Sequence, residues 1–224
     1  MPTSKSQRTS NRTSGQSIDA LGARDIAACL NACARGGIPA QELAGVSAET
    51  AHPAAVLIPL FRLHERWRLL YIRRSEYDGD HHSGEVAFPG GRSQRDDECC
   101  AATALREAWE EIGLPPREVE LLGELPPFLT VSNYLVTPVV GLVPWPLELR
   151  PDPTEVARVF SMPLAWLEDP ANRRVRAWPS PDHPQVRQVV FFDEHDGELL
   201  WGVSARITLD FLACLREAAL GQGA

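Results

Sequence analysis

GGRSQRDDECCAATALREAWEEIGL, residues 90–114, is the stretch on which the reading of this chain turns. From 98 to 113 its spacing is helical. Ala101, Leu105, Ala108 and Ile112 recur at i, i+4, i+7 and i+11, one stripe suited to burial. Asp96 or Asp97 stands where an N-cap belongs. Glu107, Glu110 and Glu111 fall at i, i+3 and i+4, which groups them on a face turned well away from that stripe. Three like charges so placed repel by roughly a few tenths of a kcal/mol per pair on an isolated helix. Either this face is simply solvated, or a hard divalent cation sits among the carboxylates, as in the oxygen shells that magnesium favours. Gly90-Gly91 makes a corner just upstream, where a backbone carbonyl is available to such a shell. Arg106 adjoins Glu107, and Glu98 lies two turns earlier, so an arginine–carboxylate pair there would hold helix and loop in fixed relation.

Outward from the helix, AAVLIPLF (54–61) and RWRLLYIRR (66–74) are short apolar or alternating runs separated by turn residues, the pattern of a hairpin. SEYDGDHHSG (75–84) is polar and reads as a loop, and GEVAFPGG (84–91) as a short strand broken by Pro89, Gly90 and Gly91. VELLGEL follows Gly113, then a Pro126-Pro127 turn and the β-branched run YLVTPVVGLVP (134–144). A short helix is expected within 154–168, and RRVRAWP, VRQVVFFDE and GELLWGV alternate as strands do. Apolar residues at helical spacing mark helices over 18–35, closed by Gly36-Gly37, and over 205–220. Mixed strands around one motif-bearing helix suggest an α/β/α sandwich, an α+β fold with a mixed sheet, and not a doubly wound one.

The bulk numbers agree with one domain over 18–224 behind a tail of about 17 residues, since 224 residues with 44% hydrophobic and 23% charged is ordinary globular composition. MPTSKSQRTSNRTSGQS (1–17) is basic and rich in Ser/Thr but lacks the apolar centre of a secretory signal, and it reads as a disordered tail. A formal net charge of -8 leaves no basic excess for nucleic acid, and an acidic protein acting on an anion must bring a cation to it. Cys29, Cys33, Cys99, Cys100 and Cys214 form no CxxC pair or zinc spacing. An odd count suits reduced thiols in a cytoplasmic protein. No apolar run approaches the roughly 20 residues that cross a bilayer.

The 90–114 segment resembles the Nudix box, which runs Gly, five residues, Glu, seven residues, Arg-Glu-apolar-x-Glu-Glu-x-Gly-apolar. Glu98, Arg106, Glu107, Ala108, Glu110, Glu111, Gly113 and Leu114 fall on it. The departure is at the front, where six residues separate Gly91 from Glu98, leaving open whether Gly90 or Gly91 supplies the carbonyl. The resemblance implies a Nudix-type sandwich and a hydrolase of diphosphate linkages that uses Mg²⁺ or Mn²⁺. It implies metal ligation by Glu107 and Glu111, with Glu110 as a further ligand or base, and Arg106 and Glu98 as structural supports. Glu155 precedes VFSMPL where some relatives place a late catalytic glutamate.

The flanks resemble coenzyme A pyrophosphatases. Leu70, Arg74, Ser75, His82, Gly84, Phe88, Pro89, Gly90 and Gly91 fit that pattern, with one extra loop residue and with Gly79 and Asp80 standing where a loop arginine belongs. LPPFLTVSNYLVTPVVG (125–141), EVARVFSMPL (155–164) and WGVSARI (201–207) are similar too. The implied substrate is coenzyme A or its acyl and oxidised derivatives, cut to 3′,5′-ADP and a 4′-phosphopantetheine species. Arg73, Arg74, His82 and Tyr134 are the substrate-binding candidates, Tyr134 as a platform for a base. The alternatives are ADP-ribose, NADH or dinucleoside polyphosphates, and, from another class, a non-catalytic module that senses nucleotides. No nucleic acid or membrane partner is expected, and a homodimer is left open.

Overall fold

A computed structural model describes residues 17–36, 49–76, 83–180 and 183–221. A 3₁₀ turn at Ile18–Ala20 leads into α1 (Ala23–Gly36). The strands β1 (His52–Leu63), β2 (Arg66–Arg74), β3 (Val86–Ala87) and β4 (Gly90–Arg92) come next, then α2 (Cys100–Ile112). After it run β5 (Glu120–Glu124), β6 (Phe128–Leu129), β7 (Tyr134–Leu142), β8 (Val156–Pro163), α3 (Leu164–Glu168), β9 (Arg173–Ser180), β10 (His183–Phe192) and α4 (Gly202–Gly221).

The main sheet follows the path β3-β2-β1-β7-β5, with β4 on β1, β6 on β7 and β8 on β2. It is mixed: β1 and β2 form the expected antiparallel hairpin, whereas β1 and β7 run parallel from His52↔Tyr134 to Leu60↔Leu142. AAVLIPLF is apolar almost throughout because β1 is central and covered on both faces. Ala55, Leu57 and Phe61 point to the α2 side, while Ala54, Ile58 and Leu60 point to the core shared with α1 and α4. The same alternation on β2 sends Leu70 and Ile72 to α2, and Leu69 and Tyr71 to the other side. The result is an α/β/α sandwich. On the α4 side the buried Tyr71 hydroxyl meets Thr208 Oγ1 at 2.9 Å, and burial pushes the Tyr71 pKa well above its ordinary value.

Several expectations need correction. The motif helix begins at Cys100, with Cys99 at the N-cap making no side-chain bond, so neither Asp96 nor Asp97 caps it. Its buried residues are Thr103, Ala104, Ala108, Glu111 and Ile112, with Ala101 and Leu105 only half-buried, so the stripe is rotated toward Glu111. GELLWGV is not a strand: it makes isolated bridges, Phe191↔Trp201 and His195↔Glu198, before α4 starts at Gly202. Trp201 is half-buried and stacks on Phe191. The segment 154–168 holds β8 as well as the short helix α3. Cys33 and Cys214, which were expected to be reduced, are joined as a disulfide between α1 and α4, their Cα atoms 6.0 Å apart across 181 residues of sequence. No helix of the described residues is long and apolar enough to cross a membrane.

Candidate active site

The carboxylates of α2 occupy three different environments. Glu110 is exposed, Glu107 is mostly covered, and Glu111 is 2% exposed, lying inside the sandwich edge instead of on an outer face. Glu111 Oε2 accepts the Gly90 amide at 2.9 Å, and its Oε1 is 4.0 Å from the Arg74 guanidinium. Burial dominates these contacts and pushes the Glu111 pKa up to about 8, the charges of Glu107 and Glu155 adding to the rise. Burial likewise raises Glu107 against the opposing pull of Arg106, with Glu110 and Glu155 repelling it.

The glycine corner is built for this approach. A Cβ on Gly90 would run into the Ala55 carbonyl, so that position has no room for a side chain, and one on Gly91 would lie 2.6 Å from the Glu107 carboxylate and push it aside. At the other end Gly113, in the left-handed region at φ 66°, stops α2 and returns its N–H to Ala108 and Trp109. The free carbonyls of the last turn are then used to hold a loop: Arg150 N–H bonds Ile112 O at 2.8 Å, and Asp152 N–H bonds Glu111 O at 2.9 Å. Asp152 O accepts from Glu155 N–H at 3.0 Å, and Glu155 O accepts from Ser75 N–H at 2.9 Å. This relay brings Glu155, 44 positions beyond Glu111 by numbering, to the carboxylate cluster and ties it to the end of β2.

Arg106 is the clamp, but its partner is Asp97. Nε and Nη2 of Arg106 donate to the two Asp97 oxygens at 3.0 and 2.9 Å, Nη2 also to Arg92 O at 3.1 Å, and Nη1 to Glu107 and Glu110 at 2.8 and 2.9 Å. Glu98 is exposed and takes no part. Asp97 lies five intervening residues after Gly91, so the extra residue of this chain falls between the supporting acid and the helix, not inside the preceding loop. Arg106, Gln94 N–H and Thr103 hydroxyl together hold the Asp97 carboxyl well below the usual carboxylate range. Asp97→Ala is expected to cost about 2–3 kcal/mol, because it removes two charge-assisted hydrogen bonds from a mostly covered guanidinium and leaves its Nε without that partner, whereas Glu98→Ala changes stability by less than about 0.5 kcal/mol. Thermal melts of the two variants check this. Equal losses would return the supporting role to Glu98.

The substrate candidates part company. Arg74 faces Glu111, but Arg73, on the opposite face of β2, lies 3.7 Å from the buried Glu198, which also accepts from Arg158 at 2.9 Å. Nothing in the sequence signalled Arg158 or Glu198. His82 lies outside the described residues. Tyr134 is half-buried at the start of β7, its ring 5.7 Å from that of His52. Among the described residues, no three His, Cys, Asp or Glu side chains stand close enough to hold a metal ion as they are, Glu107 and Glu110 being turned onto Arg106. A cavity of about 270 Å³ is lined by Arg174, Arg176, Phe191 and Leu199 and by none of the α2 carboxylates.

Comparison with known proteins follows the same lines. Residues 51–182 match the NUDIX domain. The chain is similar to the uncharacterized Nudix hydrolase NudL of Pectobacterium atrosepticum, 42% identical over 155 residues, 69% of this chain and 78% of that one. The NudL of Klebsiella pneumoniae is 40% identical over 172 residues, 76% of this chain and 83% of its own. Among solved structures, a MutT/nudix family protein from Enterococcus faecalis is similar at 18% identity and a TM-score of 0.45, covering 77% of this chain and 64% of that one.

Proposed function

The chain belongs to the Nudix hydrolase family, and from that premise we propose that it hydrolyses the diphosphate bond of coenzyme A and its acyl or oxidised derivatives with Mg²⁺ or Mn²⁺. The observation that carries the chemistry is the meeting of Glu107, Glu111 and Glu155 beside Gly90-Gly91, where burial first, and then the neighbouring carboxylate charges, raise the proton affinity of Glu107 and Glu111. An all-oxygen donor set of this kind, with Glu111 buried, Glu107 mostly covered and Glu155 open to solvent, suits a hard divalent cation. Glu107 and Glu111 would hold it, with Glu110 as a further ligand or a base. Such an ion supplies Lewis-acid polarisation of phosphorus and acidifies a water. Gly90 N–H fixes the orientation of Glu111, and Arg106 fixes Glu107 and Glu110 relative to the glycine corner. Arg74, 4.0 Å from Glu111, would meet diphosphate oxygens. Glu155 is the candidate proton acceptor, delivered by the loop that caps α2.

Coenzyme A is favoured by the 70–91 segment, whose Arg74, Ser75, Gly84 and Phe88-Pro89-Gly90-Gly91 resemble coenzyme A pyrophosphatases. Initial rates with Mg²⁺ should rank coenzyme A above its 3′-dephospho form and ADP-ribose in kcat/KM by roughly 10-fold, the low end of what one charge-assisted contact gives. Parity with dephospho-coenzyme A would mean that the 3′-phosphate is not read. A clear preference for ADP-ribose, NADH or a dinucleoside polyphosphate would replace coenzyme A and keep the diphosphate chemistry.

A further inference from the structure

Arg92 ends β4 one residue beyond Gly91, and strand alternation sets its side chain on the face opposite Glu107. Its backbone cannot drift from the carboxylates, because its carbonyl accepts from Arg106, the residue that also grips Glu107 and Glu110. Its side chain has a different setting. The guanidinium is exposed and donates to His52 Nδ1 at 3.4 Å. Among the described residues of a chain with 30 acidic side chains, it forms no ion pair with a carboxylate. His52 in turn tilts against Tyr134, its register partner across the parallel β1–β7 pair. A cation, an imidazole and a phenol ring therefore lie together where β4 and the starts of β1 and β7 meet, Arg92 and His52 exposed and Tyr134 half-buried against the core, on the sheet face opposite Glu107.

We infer that Arg92, His52 and Tyr134 form the subsite for the nucleoside half of the substrate, Tyr134 stacking on the base and Arg92 binding a phosphomonoester outside the diphosphate that is cut. This rests on the proposed diphosphate hydrolysis. A ligand crossing the Gly90–Arg92 edge places its diphosphate toward Glu107 and Glu111, while the Arg92 side chain, on the other face, is out of reach of those same oxygens. An anion read by Arg92 is consequently a second one. A planar guanidinium suits a phosphate dianion bidentately, and an aromatic face suits any base.

The test is calorimetric binding of 3′,5′-ADP and of 5′-AMP to the full chain, run in Mg²⁺ with wild type, Arg92→Ala, Arg92→Lys and Tyr134→Ala. Arg92→Ala should weaken 3′,5′-ADP by about 10-fold or more and 5′-AMP by less than about two-fold. Arg92→Lys should recover part of that loss, and Tyr134→Ala should weaken both nucleotides. Unchanged 3′,5′-ADP binding in Arg92→Ala, an equal loss for the two nucleotides, or no binding of either to wild type would each overturn the subsite. Binding reads the subsite without turnover, so a coenzyme A that is not hydrolysed would count against the proposed substrate and leave the Arg92 result standing or falling separately.

Discussion

Glu111→Gln should lower kcat by about 10²–10⁴-fold at saturating Mg²⁺ and leave the protein folded. The amide keeps the shape of the carboxylate, and its carbonyl oxygen can still accept the Gly90 N–H, so the contact that seats the side chain survives. What is lost is the charge. In the metal-free protein that charge is a liability, since Glu111 is 2% exposed beside Glu107 and Glu155, and Arg74 is 4.0 Å away. The variant should therefore melt no lower than wild type in EDTA above neutral pH. Full activity with metal present would remove Glu111 from the chemistry, and a collapse of the melting temperature would make it a structural residue.

Chelation is the second large effect. Excess EDTA should abolish turnover, and Mg²⁺ or Mn²⁺ should restore it where Ca²⁺, with its longer bonds and weak acidification of water, does not. The dependence on pH has a definite sign. The folded pKa of Glu111, about 8, lies above the ordinary 4.5. Its contribution to stability is thus full below about 4.5 and lost as pH rises through about 8. Metal-free protein should melt progressively lower from pH 6 to 8.5, and Glu111→Gln should lack that part of the slope. Asp97 does not confuse the window, because its depressed pKa removes stability only in strong acid. A metal held by Glu111, as proposed, would have to displace its proton, so the half-saturating Mg²⁺ concentration should fall across the same range. Turnover that survives exhaustive chelation, or a half-saturating concentration that rises with pH, would contradict this.

The helix and its glutamates were legible because i, i+3, i+4 spacing is a property of the backbone alone. The burial of Glu111 was not, because a helical wheel fixes angles between residues and not the direction of the sheet. Rotation of the stripe from Ala101 and Leu105 toward Ala104 and Ala108 carries Glu111 inward. Asp97 was passed over for Glu98 because counting back from Arg106 ignores how the loop spends its extra residue. The approach of Glu155 depends on backbone bonds from the last turn of α2 to residues 150–152, which no side-chain pattern announces. The separation of Arg73 from Arg74 follows from the period of a strand, yet which face held the carboxylates needed the packing of α2. The pairing of Cys33 with Cys214 needed α1 and α4 to be neighbours, a relation between chain segments 181 residues apart.

The most direct test is product analysis after incubating the protein and Glu111→Gln with coenzyme A and Mg²⁺ in water enriched in heavy oxygen. The expected result is equal amounts of 3′,5′-ADP and 4′-phosphopantetheine from wild type, one of the two carrying a single heavy oxygen, and almost none from the variant. If no product forms from coenzyme A, ADP-ribose, NADH or a dinucleoside polyphosphate with metal present, or if the variant keeps pace with wild type, diphosphate hydrolysis by the α2 carboxylates is wrong.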